Sequence, residues 1–253
     1  MSYIRDQVVI LKKTPYREND RRYIMYGMEN GLMIAVGRGA LKSQAKQASQ
    51  LEPLSIAEVM IAKGRAYDHL AVAKQVKSGS YNFLASYAVA GALSDLTLRL
   101  LRTGVADKRI FLLWEEVINY FKIIPTEPTA VRSSLLFAAT GIRLLDILGY
   151  GPHFGNCLSC KLPIGPTHAY YAPDSNGLVC SECRGRWPEQ VMHANAYAIN
   201  FINYIRSSNL ESVASVTASV EVIQNCISLI RESCKHAPLD REPHGFSTVP
   251  DLA

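Results

Sequence analysis

The chain has 253 residues and a mass of 28.0 kDa, enough for one large domain or two ordinary ones with a proper hydrophobic core. Charged residues make up 19% and the AVILMFWYC set 48%, with no low-complexity tract, which argues against disorder, collagen and a long coiled coil. The net charge of +5 is held unevenly: residues 1–80 carry 13 Lys and Arg against 7 Asp and Glu, and residues 81–253 carry 14 against 15, so the N-terminal third is suited to face a polyanion, either nucleic acid or an acidic membrane.

No run of eighteen apolar residues occurs, and the opening MSYIRDQ has no apolar core followed by small residues. The expectation is a cytosolic protein without a signal peptide or a transmembrane span.

Residues 1–79 read as β structure. Apolar and β-branched stretches at Gln7 to Leu11, Arg22 to Met25, Leu32 to Val36, Ile56 to Ile61 and Leu70 to Val76 are separated by Thr14-Pro15, Glu29-Asn30-Gly31 and Lys63-Gly64. Five short strands in a basic module predict a small barrel, either an OB-fold with Gly37 to Pro53 as the insertion between its third and fourth strands, or an SH3-like barrel.

From Tyr81 the apolar period becomes helical. Leu84, Ala88, Val89, Ala92, Leu93, Leu96 and Leu100 share a face, and further helices are expected from about Asp107 to Lys122 and from Ala130 to Leu148, the latter closed by Gly149. After a cysteine-containing segment, two more are expected near Ala194 to Arg206 and Ser212 to Cys234. The predicted fold class is thus α+β: a barrel over 1–79, a central helical region over 80–150, a cysteine insertion over 151–190 and completing helices over 191–253.

Four of the six cysteines form two CxxC pairs: Cys157 and Cys160, then Cys180 and Cys183 after a nineteen-residue spacer. Each turn can offer two sulfurs to one ion, and a spacer that reads turn, strand, turn, strand brings the second pair round, as in a zinc ribbon. Two disulfides would need an oxidising compartment, and a thiol redox pair would need a βαβ setting that neither CxxC has. Four thiolates leave no open position for an activated water, so the expected cofactor is one structural zinc ion. Cys226 and Cys234 fall among Ile223, Ile227 and Ile230 and read as core.

No HExxH, GxSxG or Walker A loop occurs, and Gly37-Arg38-Gly39-Ala40-Leu41-Lys42 lacks the third glycine of a dinucleotide loop. The histidines at 69, 153, 168, 193, 236 and 244 show no convergent nucleophile or carboxylate pair, so no enzymatic activity is predicted. The barrel instead offers Lys12, Lys13, Tyr16, Arg17, Arg21, Arg22, Tyr23 and Tyr26 around its first hairpin, with Arg38, Lys42 and Lys46 at four-residue steps beyond. Cations neutralise phosphates, and tyrosine faces can stack unpaired bases. Arg17, Arg21, Arg22, Arg38, Lys42 and Lys46 are therefore the expected DNA-backbone contacts.

Several segments in order resemble the bacterial RecO family of recombination mediators: Val8-Val9-Ile10-Leu11, Gly31 to Ala40 leading into Lys42-Ser43, Leu51-Glu52-Pro53-Leu54, and Arg143 to Tyr150 immediately before the cysteines. Thr140 and Gly141 depart from the pattern, where a bulky apolar residue and Glu are expected. The resemblance implies an N-terminal OB-fold, a helical domain with an embedded zinc site and no ordinary catalysis. It also implies binding of single- and double-stranded DNA, strand annealing, contact with single-stranded DNA-binding protein, and RecA loading together with RecR and often RecF. A receptor for the acidic, apolar tail of such a binding protein needs a cation beside an apolar groove. Arg132 and Arg143, eleven residues apart on the third predicted helix, are the expected contacts. The rival reading is a structural adaptor that holds protein partners without touching DNA.

Overall fold

In a computed structural model of the chain, residues 2–42, 51–79, 84–123, 128–165, 169–237 and 246 are described. Five strands, β1 (Tyr3–Tyr16), β2 (Asp20–Gly27), β3 (Gly31–Gly37), β4 (Ser55–Ala62) and β5 (His69–Ser78), close a barrel in the order β1-β2-β3-β5-β4. All pairings are antiparallel except β3 with β5, which meet in parallel at Val36 and His69. This is the OB-type arrangement of the two barrels expected. Closure depends on β1, which pairs with β4 over Tyr3 to Val9 and with β2 over Val8 to Tyr16, the register shifting between Ile10 and Lys12. A bulge at that point bends the strand so that one ribbon can serve two neighbours.

The inward side chains alternate as a pleated strand demands. Val8, Ile10, Tyr23, Met25, Ala35, Ala57, Val59 and Ile61 fill the barrel with Leu51 from the β3–β4 connection. At the β2–β3 turn the Asp6 carboxylate accepts the backbone N–H of Asn30 at 2.9 Å and its side-chain amide at 2.8 Å. Gly31 closes this turn with φ 64°, and a Cβ there would run into the Val105 carbonyl oxygen. Gly31→Ala is expected to lower stability by about 1–2 kcal/mol from the left-handed backbone alone, with the clash adding to it. A thermal melt with an unchanged midpoint would refute this.

The chain divides into two units, and the division falls differently from the expected boundaries. Leu101–Thr126 joins the barrel residues Met1–Asn82, while Phe83–Leu100 and Glu127–Ala253 form the second unit. Helix α2 (Lys108–Ile123) therefore belongs with the barrel rather than with the central helices; α1 (Leu84–Leu100) stays with the second unit. The reason is polar as well as apolar. The Tyr26 hydroxyl accepts the Asp107 N–H at 2.8 Å and donates to its carbonyl at 3.2 Å, and Lys77 pairs with Glu115 at 2.7 Å.

In the second unit, α3 (Ala130–Leu148) packs against α1 and the C-terminal helices. It is buried from Ser133 to Ile142 on every side, as its nearly unbroken apolar sequence requires. The Thr129 hydroxyl caps its first turn, and Gly149, at φ 81°, ends it where the sequence placed the stop. Gly141, one of the two departures from the family pattern, has a physical use: a Cβ there would lie 3.2 Å from Ile230 and 3.5 Å from Leu96, so glycine permits close helix packing.

The single helix expected over Ser212 to Cys234 is two. After α5 (Ala196–Ser207), α6 spans Leu210–Ser215 and α7 spans Val220–Cys234. Asn209 and Ser219 each cap a new N-terminus through their side chains, while Val216 between them is extended. The Ser219 cap, with Val216 extended before it, overrides an apolar periodicity that runs through the break. Cys226 and Cys234 are buried on α7, as expected. No described helix is long and apolar enough to cross a membrane.

Candidate functional site

The cysteine segment folds as a small sheet. Strands β6 (Ala169–Ala172) and β7 (Gly177–Cys180) pair in the expected hairpin around a 3-10 turn at Pro173–Ser175, and Asn176 exits it at φ 48°. A third strand, β8 (Met192–His193), lines the other edge of β6 and is absent from the sequence reading. Two residues, Met192 and His193, are too short a stretch to show a period.

The first CxxC turns back through the Lys161 N–H donating to the Cys157 carbonyl at 3.0 Å, with Lys161 at φ 63°. The second runs from the end of β7 into the short helix α4 (Ser181–Arg184). Together they bring the sulfurs of Cys157, Cys160, Cys180 and Cys183 within 4.8 Å of one another, with Cys160 and Cys180 3.9 Å apart. Four thiolates at about 2.3 Å from one tetrahedral ion sit about 3.8 Å from each other, so the set can bind a metal ion with little movement. No other such cluster of ligand side chains occurs among the described residues.

The electrostatics suit a cation. Burial opposes the Cys157 thiolate, but the amides of Cys180, Cys160 and Ser159 outweigh it and bring the thiol down to about 6; the Cys180 N–H reaches its sulfur at 3.4 Å. At Cys180 the Cys183 amide favours the thiolate, yet burial and the three neighbouring thiols prevail and push the group up to about 11. An added cation relieves that crowding of negative charge.

A buried polar network ties this segment to the helices. Asn176 accepts from the Tyr171 hydroxyl at 2.8 Å and the Ser233 hydroxyl of α7 at 2.9 Å, and donates to the Tyr150 carbonyl at 2.8 Å. Burial pushes the Tyr171 phenol up to about 12, so it remains a donor. Nearby, Arg206 of α5 holds Asp146 of α3 in a two-bond fork, both bonds 2.8 Å.

On the barrel, the structure gathers three of the predicted cations around a column of rings. Arg22 lies 4.9 Å from the Tyr16 centroid, and Tyr16 meets Tyr67 edge-on at 5.9 Å. Tyr67 meets His69 at 4.7 Å, and His69 Nε2 is 3.0 Å from Arg38. Arg17 sits between the tyrosines, 5.3 and 5.4 Å from their centroids. Tyr67 comes from the β4–β5 connection and His69 opens β5, and neither was among the predicted contacts; the run Lys63-Gly64-Arg65-Ala66-Tyr67-Asp68-His69, basic and aromatic together, was the available signal.

The other predicted residues are placed differently. Arg21 is half-buried on the Tyr23 side of β2; burial raises the Tyr23 phenol and the Arg21 guanidinium opposes it. Strand alternation thus sends Arg21 and Arg22 to opposite faces. Lys42 is exposed at the end of a turn in which Gly39 takes φ 65°, so Arg38 and Lys42 do not share a helix. Lys46 lies outside the described residues.

Arg132 is exposed in the first turn of α3. Arg143 is half-buried, and its guanidinium donates to the Ile205 carbonyl at 3.2 Å and to the Ser208 carbonyl, which belong to the C-terminal end of α5. Its fork therefore serves helix carbonyls that lack intrahelical partners, a different task from holding a carboxylate on the surface. Arg143→Ala is expected to cost about 1.5–3 kcal/mol, the range for a charged hydrogen bond, in a melt of the protein alone. An unchanged midpoint would return Arg143 to the surface role.

Comparison with known proteins agrees with this architecture. The profile described as Recombination protein O N terminal matches residues 1–99, and that described as Recombination protein O C terminal matches residues 83–237. Relatives named DNA repair protein RecO include one from Clostridium perfringens, 29% identical over 224 residues, which span 88% of this chain and 87% of the relative. One from Dehalococcoides mccartyi is 22% identical over 249 residues, 98% of this chain and 95% of its own. One from Rubrobacter xylanophilus is 26% identical over 190 residues, 74% of each.

Proposed function

Because this chain belongs to the RecO family of DNA repair proteins, we propose that it is a recombination mediator that binds and anneals single-stranded DNA through its barrel. With RecR it assists RecA loading on strands coated with single-stranded DNA-binding protein. The observation that carries the reading is the Arg22-Tyr16-Tyr67-His69-Arg38 column with Arg17 against both tyrosines. Cations at both ends suit phosphates and rings between them suit unpaired bases, and the loops of an OB barrel are where such strands lie. Lys42 and Lys46 are further proposed phosphate contacts, and duplex DNA binds through phosphates alone. Arg132 is the proposed contact for the acidic tail of the single-stranded DNA-binding protein, with Arg143 acting through α5.

The cysteine site holds zinc in this proposal. Thiolate donors favour it over magnesium or calcium, and four of them make the ion structural. The protein's own residues do the rest: the knuckle amides hold the sulfurs, and Asn176 fixes the ribbon to α7.

The test is annealing of two complementary oligonucleotides by the purified protein, followed by fluorescence transfer between end labels. Expected is a rate above the spontaneous one that falls as salt rises, with log K for a single strand linear in log salt. A protein with no effect on the rate and no salt-dependent DNA binding would be the adaptor instead.

A further inference from the structure

We propose that Arg17 works with Tyr16 and Tyr67 as a stacking platform for an unpaired nucleobase, so that the barrel discriminates single strands from duplexes by this plane rather than by charge. The inference rests on reading the barrel as a DNA-binding module and assigns Arg17 a role other than a phosphate contact.

Three observations point the same way. The Arg17 guanidinium carbon lies 5.3 Å from one tyrosine centroid and 5.4 Å from the other, and its Nη1 donates to the Tyr67 hydroxyl at 3.2 Å. Its backbone is left-handed, φ 57°, so the β1–β2 turn itself presents the side chain there. The two rings come from the end of β1 and from the β4–β5 connection, some fifty residues apart, which barrel closure brings together, and Arg17 remains exposed beside them.

A guanidinium in that position is already oriented. It is planar, more weakly hydrated than an ammonium and stacks on flat surfaces, whereas a lysine keeps the charge and loses the plane. Every base has a π-face, so the platform accepts any sequence. In a duplex those faces are covered by neighbouring pairs and only phosphates are offered. Arg22 beyond Tyr16 and Arg38 beyond His69 put a cation at each end of the column, which matches a strand that alternates base and phosphate.

The experiment titrates full-length, metal-loaded protein against a fluorescent oligothymidylate and a mixed-sequence duplex of equal length, at several salt concentrations. Arg17→Lys and Tyr67→Leu are expected to weaken the single strand about tenfold or more, in keeping with the loss of one stacked base. Duplex affinity and the salt slope should stay as in the wild type, and Tyr67→Phe, which keeps the ring, should retain most of the single-strand affinity. A circular dichroism melt establishes that each variant is folded.

Wild-type behaviour of Arg17→Lys on both substrates overturns the platform. Equal weakening on strand and duplex with a flatter salt slope makes Arg17 a phosphate contact and overturns it too. A wild-type protein that binds neither substrate brings down the DNA-binding reading itself, and the platform with it.

Discussion

Cys157→Ser protein is expected to emerge from purification with less than a tenth of the metal bound by the wild type, which should carry about one equivalent of zinc. Cys157 is fully buried and receives the Cys180 N–H, so serine there removes both a ligand and the knuckle's internal acceptor. The ribbon's apolar cluster is small: Cys157, Ala172, Val179 and Cys183 at its centre, with Leu158, Ile164, Trp187 and Val191 around them. A cluster of that size does not fold a segment unaided, and for structural zinc sites the ion contributes about 10–16 kcal/mol of apparent binding energy that is also folding energy. Proteolysis should therefore cut between residues 151 and 193 in the variant and spare the wild type. The loss should propagate, since Asn176 then no longer holds Ser233 and Tyr150 in place, and the melting midpoint of the helical unit should fall.

Acid should do the same reversibly. Metal binding requires thiolates and so releases protons; each proton added favours the metal-free form. The Cys157 thiol is held down at about 6 without the ion, so as the pH falls through that value protons compete with the metal for this sulfur and retention should fall steeply. Full retention of metal at pH 4, or a Cys157→Ser protein with wild-type metal content and midpoint, would contradict the site.

The second large effect is expected from reversing Arg22 and Arg38 together to Glu. Both are exposed, at opposite ends of the aromatic column, and the change moves the local charge by four units without touching the barrel interior. Affinity for single-stranded DNA should drop on the order of a hundredfold at moderate salt. The slope of log K on log salt should flatten by about 1.4, from two lost phosphate contacts at about 0.7 each. The loss should be alike for all sequences, because phosphates carry no sequence information. Arg21→Glu makes a useful contrast: beside the buried Tyr23 it should lower the melting midpoint and leave the salt slope unchanged. Wild-type affinity in the double reversal would move the DNA interface to another face of the protein.

Features that depend on neighbours within a few turns of chain were legible from the residues alone. Strand alternation from Val8 to Val76 marked the five barrel strands, the apolar run from Ala130 closed by Gly149 marked α3, and two CxxC pairs with their spacer marked four ligands on one hairpin. Each is a short-range pattern: a side-chain period, a cap, or the reach of a turn. Local signals misled where two of them competed, as at Ser219, whose cap divides a continuous apolar stripe into α6 and α7, and were silent where an element was too short to show a period, as at β8.

Contacts between residues far apart in the chain were not legible in this way. Barrel closure, through a bulged β1 that pairs on both sides, carries Tyr67 and His69 to Tyr16 and leaves Arg22 and Arg38 at the two ends of one column. The same pleat turns Arg21 away from it. Arg143 finds its partners 62 and 65 residues onward at the end of α5, and Asn176 finds Ser233 57 residues onward. Composition could show that the N-terminal third was basic and rich in tyrosine. Which of those cations face a common surface depended on strand pairing and helix packing, which are set by burial of apolar faces rather than by the charged residues themselves.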